Sequence, residues 1–312
     1  MPSARQPINH VPVMVDEVLD GLITTSDGLY VDGTLGTGGH AAAILSRLSP
    51  GGQVLGIDLD AQVLARARVR LAGESSRMIF RHGSYDQMPQ FLKELDRECC
   101  QGLLLDLGIS SFSLEGSGRG FSFQTEEPLD MRFDASRGQP LHQVLPTLNA
   151  GVLAGILFTF GEERRSRAIA AAIHATAAEH LTTSGALARI VRSVVKGPQA
   201  TKTLARVFQA LRIFINDELR TLKNVLEQLG TVVESGRRIA IISFHSLEDR
   251  IVKQFFARES RDCICPPEII TCQCGHRATF RVLTRRPIVP GPDEQARNPR
   301  SRSAKLRVLE RL

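Results

Sequence analysis

The residues most suited to chemistry lie in one short stretch, DGTLGTGGH, which runs from Asp32 to His40. An apolar run ends at Asp32, several glycines follow, and the alanine-rich segment after them favours a helix. A strand, a glycine turn and a helix together bring backbone N–H groups against a nucleotide-like ligand. Glycine permits the close approach and the positive φ that such turns need. The stretch therefore predicts a ligand-binding wall built from Gly36, Gly38 and Gly39, with an ordinary flexible loop as the alternative.

Three other polar side chains are expected at the same edge. Asp58 and Asp106 directly follow apolar runs predicted as strands, and Tyr85 comes shortly after another. Because parallel strands end at a common edge of their sheet, these side chains share a rim with Asp32. Asp58 can accept both hydroxyls of a ribose, which argues against a 2′-phosphorylated cofactor. The glycine spacing departs from G-x-G-x-x-G and, after an acidic strand end, is typical of S-adenosylmethionine (SAM) sites. Asp32 would then face the methionine ammonium, and Tyr85 would lie near the adenine.

The elements that must position these residues alternate between strand and helix. Apolar strand-like runs are predicted at 29–31, 53–57, 78–81, 102–105 and 238–243. Short links between alternating elements are typical of an α/β fold, here a mostly parallel, doubly wound, Rossmann-like sheet. Two further segments, 280–283 and 306–309, are predicted to pair antiparallel on the sheet edge.

The alternation stops after residue 106. Residues 141–196 carry only helix signals, and a long amphipathic helix over 203–229 is predicted to return the chain to the sheet. We therefore expect an all-helical domain inserted into the sheet domain. The predicted bounds are 1–136 for the first part of the core, 137–212 for the insertion, which would recognise the substrate, and 213–312 for the second part with its basic C-terminal segment.

The composition of the 312 residues, 42% hydrophobic and 23% charged, is that of a globular protein. The polar N-terminus has no apolar signal region, and no apolar run is long enough to span a bilayer, so we expect a cytoplasmic protein without a membrane partner. From Arg277 onward ten lysines and arginines stand against three acids, so this segment carries +7 and the rest of the chain −1 of the net charge of +6. This segment predicts a polyanionic partner such as nucleic acid, or else a solvated basic tail.

Four of the six cysteines form two close pairs, Cys263-x-Cys265 and Cys272-x-Cys274. Thiolates are zinc ligands, but zinc hooks more often have the spacing C-x₂-C. The spacing therefore makes these four residues a weak zinc candidate, and no metal is predicted from the sequence.

Several motifs are more specific than the glycine turn. Together they cover nearly the whole chain, and the sequence resembles the MraW family of bacterial 16S ribosomal RNA (cytosine-N4)-methyltransferases. The motifs are HVPVM at 10–14, DGTLGTGGH at 32–40, LLDLGISS at 104–111, RGFSF at 119–123, LDMR at 129–132, FQALRI at 208–213 with Asn216 and Glu218, SFHSLEDR at 243–250 and NPRSRS at 298–303.

The resemblance implies a class I SAM-dependent methyltransferase fold with an inserted helical domain. It implies N4-methylation of a cytidine in the decoding (P-site) region of 16S rRNA within the small ribosomal subunit, by a monomer or homodimer. The SAM contacts that it implies fall on Gly38, Gly39, His40, Asp58, Tyr85, Asp106 and Ser113. The family often has Phe at the position of Tyr85 and Gln at the position of Ser113.

The cytosine amine is a poor nucleophile because its lone pair is delocalised into the ring, so the site must orient it and accept its proton. Asp106 is the first candidate acceptor, and Ser110 is a neighbouring contact. His245, after the fifth strand, is the second candidate, or else a structural histidine. The Asp/Asn-Pro-Pro-Tyr/Phe loop of many amino-methyltransferases is absent after Asp106, as is the Pro-Cys pair of covalent C5 chemistry.

The helical insertion and the basic C-terminus are the expected RNA surface. Side chains that could contact RNA are four arginines for the phosphates and two phenylalanines for stacking, namely Arg119, Arg132, Arg206, Arg212, Phe121 and Phe123. The phenylalanines could equally pack the insertion. Two other functions stay open: a non-catalytic SAM-binding factor of RNA or ribosome assembly, and a nicotinamide-dependent oxidoreductase.

Overall fold

The computed structural model describes residues 12–115, 117–269 and 271–312. The chain divides into two compact units, the first formed by residues 1–108 with 220–312 and the second by residues 109–219. The predicted insertion, 137–212, falls within the second unit, and its exact bounds stay a prediction. Two residues of the first family motif, His10 and Val11, lie outside the described residues.

The first unit is built on a seven-stranded sheet, which confirms the predicted α/β class. Its strands are β1 (Leu29–Asp32), β2 (Gln53–Asp58), β3 (Met78–His82), β4 (Cys100–Asp106), β5 (Val233–Ser243), β6 (Phe280–Val282) and β7 (Lys305–Arg311). Their order is β3-β2-β1-β4-β5-β7-β6. The first five are mutually parallel, whereas β7 runs antiparallel to β5 and β6. The predicted antiparallel pair at the sheet edge is therefore present.

Both faces of this sheet are covered, as expected for parallel strands. Along β4, Leu103 and Leu105 join one buried apolar cluster while Leu104 joins the other. The same alternation occurs in β1, where Val31 and Tyr30 face opposite clusters. This follows from the two-residue period of a strand, which points successive side chains to opposite faces. The polar groups at the strand ends are therefore held by strands that are anchored on both sides.

Helices cover these faces and form the second unit. In chain order they are α1 (Val15–Leu22), α2 (Gly39–Arg47), α3 (Ala61–Arg70), α4 (Met88–Lys93), α5 (Ser111–Glu115), α6 (Leu141–Val144), α7 (Ala150–Gly161), α8 (Ser166–His174), α9 (Ser184–Val194), α10 (Gln199–Asn216), α11 (Glu218–Val232), α12 (Ser246–Glu259) and α13 (Pro292–Arg297).

The second unit has an apolar core of its own, in which Leu157, Leu187 and Leu211 are fully buried. Two of its helices begin at residues whose side chains accept backbone N–H groups. Asn149 accepts from Val152 N at the start of α7 (2.8 Å), and a threonine caps α9 in the same way. Such caps satisfy donors that have no partner inside the helix.

The prediction of one helix over 203–229 is wrong. The helix ends at Asn216, and a second one starts at Glu218. Asp217 between them has a φ of 52°, in the left-handed region, and its N–H bonds back into the end of the first helix. Aspartate and asparagine adopt this conformation more readily than most residues, so an Asn-Asp pair is a helix-ending signal that the apolar periodicity hides.

Candidate active site

The glycine turn joins β1 to α2 at the carboxyl edge of the sheet. α2 begins at Gly39, earlier than the alanine-rich segment alone predicts, and Gly38 precedes it with a φ of 81°. A Cβ on Gly38 would lie 2.7 Å from Leu71 Cδ1, so both conformation and space require glycine there. The turn is fixed by a hydrogen bond from Leu35 N to Ile57 O (2.9 Å). The first turn of a helix, with its free N–H groups, thus lies beside the strand ends.

Asp58 ties the end of β2 to this turn. Its Oδ2 accepts a hydrogen bond from Gly36 N (2.8 Å), and its Oδ1 accepts one from Asp60 N (2.8 Å). Burial raises the pKa of Asp58 to about 6, although both backbone bonds lower it. A carboxylate offers about four lone-pair positions, so Asp58 can still accept from ribose hydroxyls.

Asp32 is the most deeply buried carboxyl at this edge, with 1% of its surface exposed. Its Oδ1 accepts a hydrogen bond from Thr34 N (3.2 Å), whereas its Oδ2 has no partner among the described residues. Burial raises the pKa of Asp32 to about 7, against the opposing effect of His40. Because buried polar atoms are normally hydrogen-bonded, this oxygen fits a cationic ligand group such as an ammonium.

Asp106, at the end of β4, is the third carboxyl at this edge. Its backbone N–H donates to Thr34 Oγ1 (2.6 Å), and its Oδ2 lies 3.5 Å from His40 Nε2. Its Oδ1 has no partner in the described part of the chain. Burial lowers the pKa of His40, but Asp106 and Asp32 outweigh it and raise that pKa above its usual range. The pair therefore favours a protonated His40 beside the Asp106 side chain.

Thr34 is a residue of this edge that the sequence interpretation missed. Its N–H and its hydroxyl bind Asp32 and Asp106 respectively, so it links the ends of β1 and β4. The available signal is its place two residues after an aspartate, where an Asx-turn forms.

Tyr85 lies against the same wall. It begins a short 3₁₀ helix after β3 and is half-buried. A Cβ on Gly33 would come within 3.1 Å of Tyr85 Cβ. The structure therefore brings Tyr85 together with the predicted residues of the glycine turn and the three carboxyls, all within the first unit.

Ser110 and Ser113 belong to the second unit. Ser113 N donates to Ser110 Oγ (3.0 Å), and the two hydroxyl oxygens are 2.8 Å apart. These bonds lie at the start of α5 and give both serines a local structural role.

His245 caps α12. Its Nδ1 accepts a hydrogen bond from Glu248 N (3.3 Å), and its Nε2 lies 3.1 Å from Glu248 Oε1. The glutamate in turn accepts a hydrogen bond from His245 N (3.3 Å) through its Oε2. This reciprocal arrangement is a capping box, so the geometry gives His245 the structural role that was the alternative to catalysis.

Several of the predicted RNA contacts are engaged inside the second unit. Arg119 is buried and donates to Phe133 O (2.8 Å). Arg132 pairs with Asp130 at 2.6 Å, and Arg212 pairs with a glutamate at 2.8 Å. In the second unit Phe121 stacks on Phe133 with 5.5 Å between ring centroids, and Phe123 packs against Phe208. These contacts favour the packing interpretation of those side chains.

A different basic surface is present in the second unit. A cavity of about 870 Å³ is lined by α7 and the start of α8, including Phe158, Arg164, Arg165 and Arg167. All three arginines are exposed, and Phe158 is 63% exposed. The sequence signal is the basic run directly after an apolar helix. Apolar periodicity alone predicts a helix there and does not indicate a basic surface.

The four candidate zinc ligands lie in the loop between α12 and β6. Their sulfur atoms are all within 4.8 Å of one another. Elsewhere, no helix among the described residues has the length and apolar character needed to cross a membrane.

Comparison with known proteins gives one consistent result. The model of the MraW methylase family matches residues 7–312. A protein named ribosomal RNA small subunit methyltransferase H from Syntrophotalea carbinolica is 44% identical over 99% of this chain and 99% of its own. Proteins of the same name from Thermomicrobium roseum and Dehalococcoides mccartyi are 43% and 42% identical over 97% of this chain, and over 94% and 86% of their own.

Proposed function

The chain belongs to the MraW methylase family, and from this premise we propose that it methylates N4 of a cytidine in the decoding (P-site) region of 16S rRNA. The methyl donor is SAM, and the substrate is the RNA within the small ribosomal subunit. The observation that carries the proposal lies at the carboxyl edge of the sheet, where the buried atoms Asp32 Oδ2 and Asp106 Oδ1 have no hydrogen-bond partner among the described residues. Since the substrate is ribosomal RNA, we propose that the enzyme acts in the cytoplasm. We propose that it does so as a monomer or homodimer.

The residues of the edge fit SAM group by group. We assign the methionine ammonium to Asp32 and the ribose hydroxyls to Asp58, with Tyr85 beside the adenine. The glycine turn supplies backbone N–H groups and leaves room for the ligand to approach. When bound, SAM supplies a methyl group on a sulfonium, which a nitrogen nucleophile can take in line.

Asp106 is the proposed proton acceptor for the cytosine amine. Its Oδ1 is free of partners among the described residues, while its Oδ2 lies near His40. When the amine nitrogen takes the methyl group it becomes positively charged, so one of its protons must pass to an acceptor during or after transfer. We propose that His40 acts as a positioning residue, because its Nε2 lies 3.5 Å from Asp106 Oδ2 and holds that side chain in place.

The RNA is proposed to bind the second unit at the cavity beside α7 and α8. Exposed guanidinium groups bind phosphates, and an exposed ring such as Phe158 can stack on a base. The exposed arginines of the C-terminal segment, Arg285 and Arg286 among them, would add to the attraction for a polyanion.

Transfer of a labelled methyl group to naked 16S rRNA and to small ribosomal subunits, followed by identification of the modified nucleoside, tests the proposal. N4-methylcytidine at one position in the decoding region is the expected product. Binding of SAM and RNA without incorporation would instead support a non-catalytic assembly factor, and NADH fluorescence on mixing would support an oxidoreductase. Replacing Arg164, Arg165 and Arg167 together by alanine should weaken RNA binding and flatten its salt dependence, whereas Arg192→Ala is the matched exposed control.

A further inference from the structure

The loop between α12 and β6 is closed at its base by hydrogen bonds within the first unit. Thr279 N donates to Glu259 O (3.0 Å), and Ala278 N donates to Asp262 Oδ1 (3.2 Å). His276 Nε2 lies 3.2 Å from Arg258 O at the end of the helix. The two arms of the loop are thus held side by side where they leave the sheet unit.

Beyond this base the described residues of the loop form no apolar core. Every described residue from 261 to 277 is exposed or half-buried, and even Ile264 and Ile269 are 44% and 39% exposed. A segment that buries so little apolar surface gains little hydrophobic stabilisation to offset the entropy of ordering its backbone. Small segments of this kind are commonly held by disulfides or by a structural metal ion.

Four sulfur atoms meet where the core would otherwise be. The Sγ atoms of Cys272 and Cys274 are 3.6 Å apart, and those of Cys274 and Cys263 are 3.8 Å apart. Cys265 completes a set in which all four sulfurs lie within 4.8 Å of one another. A disulfide would require about 2.05 Å between sulfurs. Four thiolates held tetrahedrally at about 2.3 Å from a zinc ion are about 3.8 Å from one another, close to the 3.6 Å and 3.8 Å of these two pairs.

Backbone N–H groups are directed at these sulfurs. Ile264 N donates to Cys274 Sγ (3.4 Å), Cys265 N donates to Cys263 Sγ (3.5 Å), and Gln273 N donates to Cys265 Sγ (3.4 Å). The first and the third of these bonds join the two arms of the loop, and the second lies within one arm. Donors to the sulfur stabilise a thiolate and orient it, as outer-shell partners do in metal sites.

We propose that Cys263, Cys265, Cys272 and Cys274 bind one structural Zn²⁺ ion. Soft thiolates select zinc over magnesium or calcium, and four protein ligands leave no open position for catalysis. The ion joins the two arms of the loop and takes the place of an apolar core. The short C-x-C spacing is compatible with this site because each pair supplies two corners and the fold supplies the register between pairs.

Metal content tests this assignment directly. Tag-free protein is purified from zinc-supplemented medium under reducing conditions, and zinc is measured per chain for the native sequence, for the double variant Cys272→Ser with Cys274→Ser, and for Cys99→Ser as the matched cysteine control. We expect one zinc per chain in the native and control proteins and a loss of at least tenfold in the double variant. Cobalt substituted for zinc should give the absorption of a tetrahedral tetrathiolate complex in the native and control proteins.

A second measurement keeps the test valid if the double variant folds poorly. Zinc removal from the native protein by a chelator should make residues 261–277 sensitive to protease, while circular dichroism keeps the signal of the sheet unit. Substoichiometric zinc in well-folded native protein, or a mass corresponding to two disulfides in the reduced preparation, would overturn the proposal. None of these readouts depends on methyl transfer, so they are independent of the proposed function.

Discussion

The first unit gathers ligand atoms in two ways, at the carboxyl edge of the sheet and in the cysteine loop. At the edge, Asp106 N meets Thr34 Oγ1 across 72 positions of sequence, and the groups lie at the ends of strands that are packed on both faces. In the loop, Cys263 and Cys274 are only 11 positions apart, and the sulfurs are mostly exposed. The fold of the sheet unit positions the groups at the edge. In the loop, the proposed zinc ion would order the segment that binds it.

This difference has an energetic consequence. The edge exists because strands anchored on both faces hold it, so burial of Asp32 and Asp58 is imposed on them and raises their pKa values. The loop has no such anchor, and its order depends on the free energy of metal binding, which in structural zinc sites is also folding free energy. Perturbing the edge should therefore change chemistry and ligand affinity, while perturbing the loop should change local order.

The largest effect is expected at Asp106. Asp106→Asn keeps the shape of the side chain but removes the proton acceptor, so the methyl-transfer rate should fall by about 100-fold to 10,000-fold. SAM affinity, measured by calorimetry, should change by less than about tenfold. Asp60→Asn is the matched control, because Asp60 is also buried near the strand ends but caps α3, a role that asparagine fills equally well.

His245 sharpens the same test. If it only caps α12, His245→Ala should lower the free energy of unfolding by about 1 kcal/mol and leave the transfer rate of the folded enzyme nearly unchanged. Full transfer by Asp106→Asn together with a collapse of transfer in His245→Ala would exchange the roles of the two residues.

A smaller effect is expected from the glycine turn. Gly38→Ala forces a Cβ into the left-handed region and toward Leu71, at a cost of about 1–2 kcal/mol. If that strain falls on the ligand-binding form of the turn, the Kd for SAM should rise about tenfold. Gly73→Ala is the control, since a Cβ there meets nothing within 4 Å. Equal affinities in the two variants would mean that the turn does not line the ligand.

The contrast between the regions also explains what the sequence could predict. The strands and the acids that end them follow from apolar runs and the rule for parallel sheets, so Asp32, Asp58 and Asp106 could be grouped without coordinates. The Asx-turn pattern points to the bond between Thr34 N and Asp32, but the bond from Asp106 N to the Thr34 hydroxyl depends on tertiary register, which no local pattern records. The helix break at Asp217 was hidden because apolar periodicity continues on both sides of it.

The cysteine loop was harder for a related reason. Spacing within each pair is local and looks unfavourable for zinc, whereas the geometry of a four-ligand site depends on how the two pairs face each other. That placement is set by hydrogen bonds at the base of the loop, such as Thr279 N to Glu259 O. The arginines of the second unit show the reverse case, because residues that suit phosphate binding by type, such as Arg119, are used for internal bonds.

A pH dependence of stability should distinguish the buried edge from the exposed surface. Asp32 has a folded pKa of about 7 against a usual 3.8, so its contribution to stability is complete below about pH 3.8 and is lost as the pH rises to about 7. Asp58 acts in the same direction up to about pH 6. Between about pH 5 and 6.5, ordinary surface acids are ionised in both states, and each buried carboxyl contributes a slope of at most about −1.4 kcal/mol per pH unit.

Urea unfolding of the SAM-free protein across this range measures the slope. Asp32→Asn should make the slope less negative, by up to the contribution of one proton. Asp20→Asn, which alters a carboxyl on the surface, should leave the slope unchanged. His40 has a raised pKa and acts with the same sign, but because its unfolded value is about 6.5 it contributes at most about half a proton, at the upper end of this window. A slope that is unchanged in Asp32→Asn would show that this carboxyl is already ionised in the folded protein.

The smallest effect is expected on SAM binding at the edge when the cysteine loop is altered. The double variant Cys272→Ser with Cys274→Ser should bind SAM within about twofold of the native protein, because the edge is held by β1, β2 and β4 and, among the described residues, by no hydrogen bond from the loop. Its loop should nevertheless become accessible to protease. A Kd for SAM that rises in parallel with zinc loss would contradict this independence. The loop would then have to be counted among the elements that hold the edge, since binding energies that change together report a shared structural element.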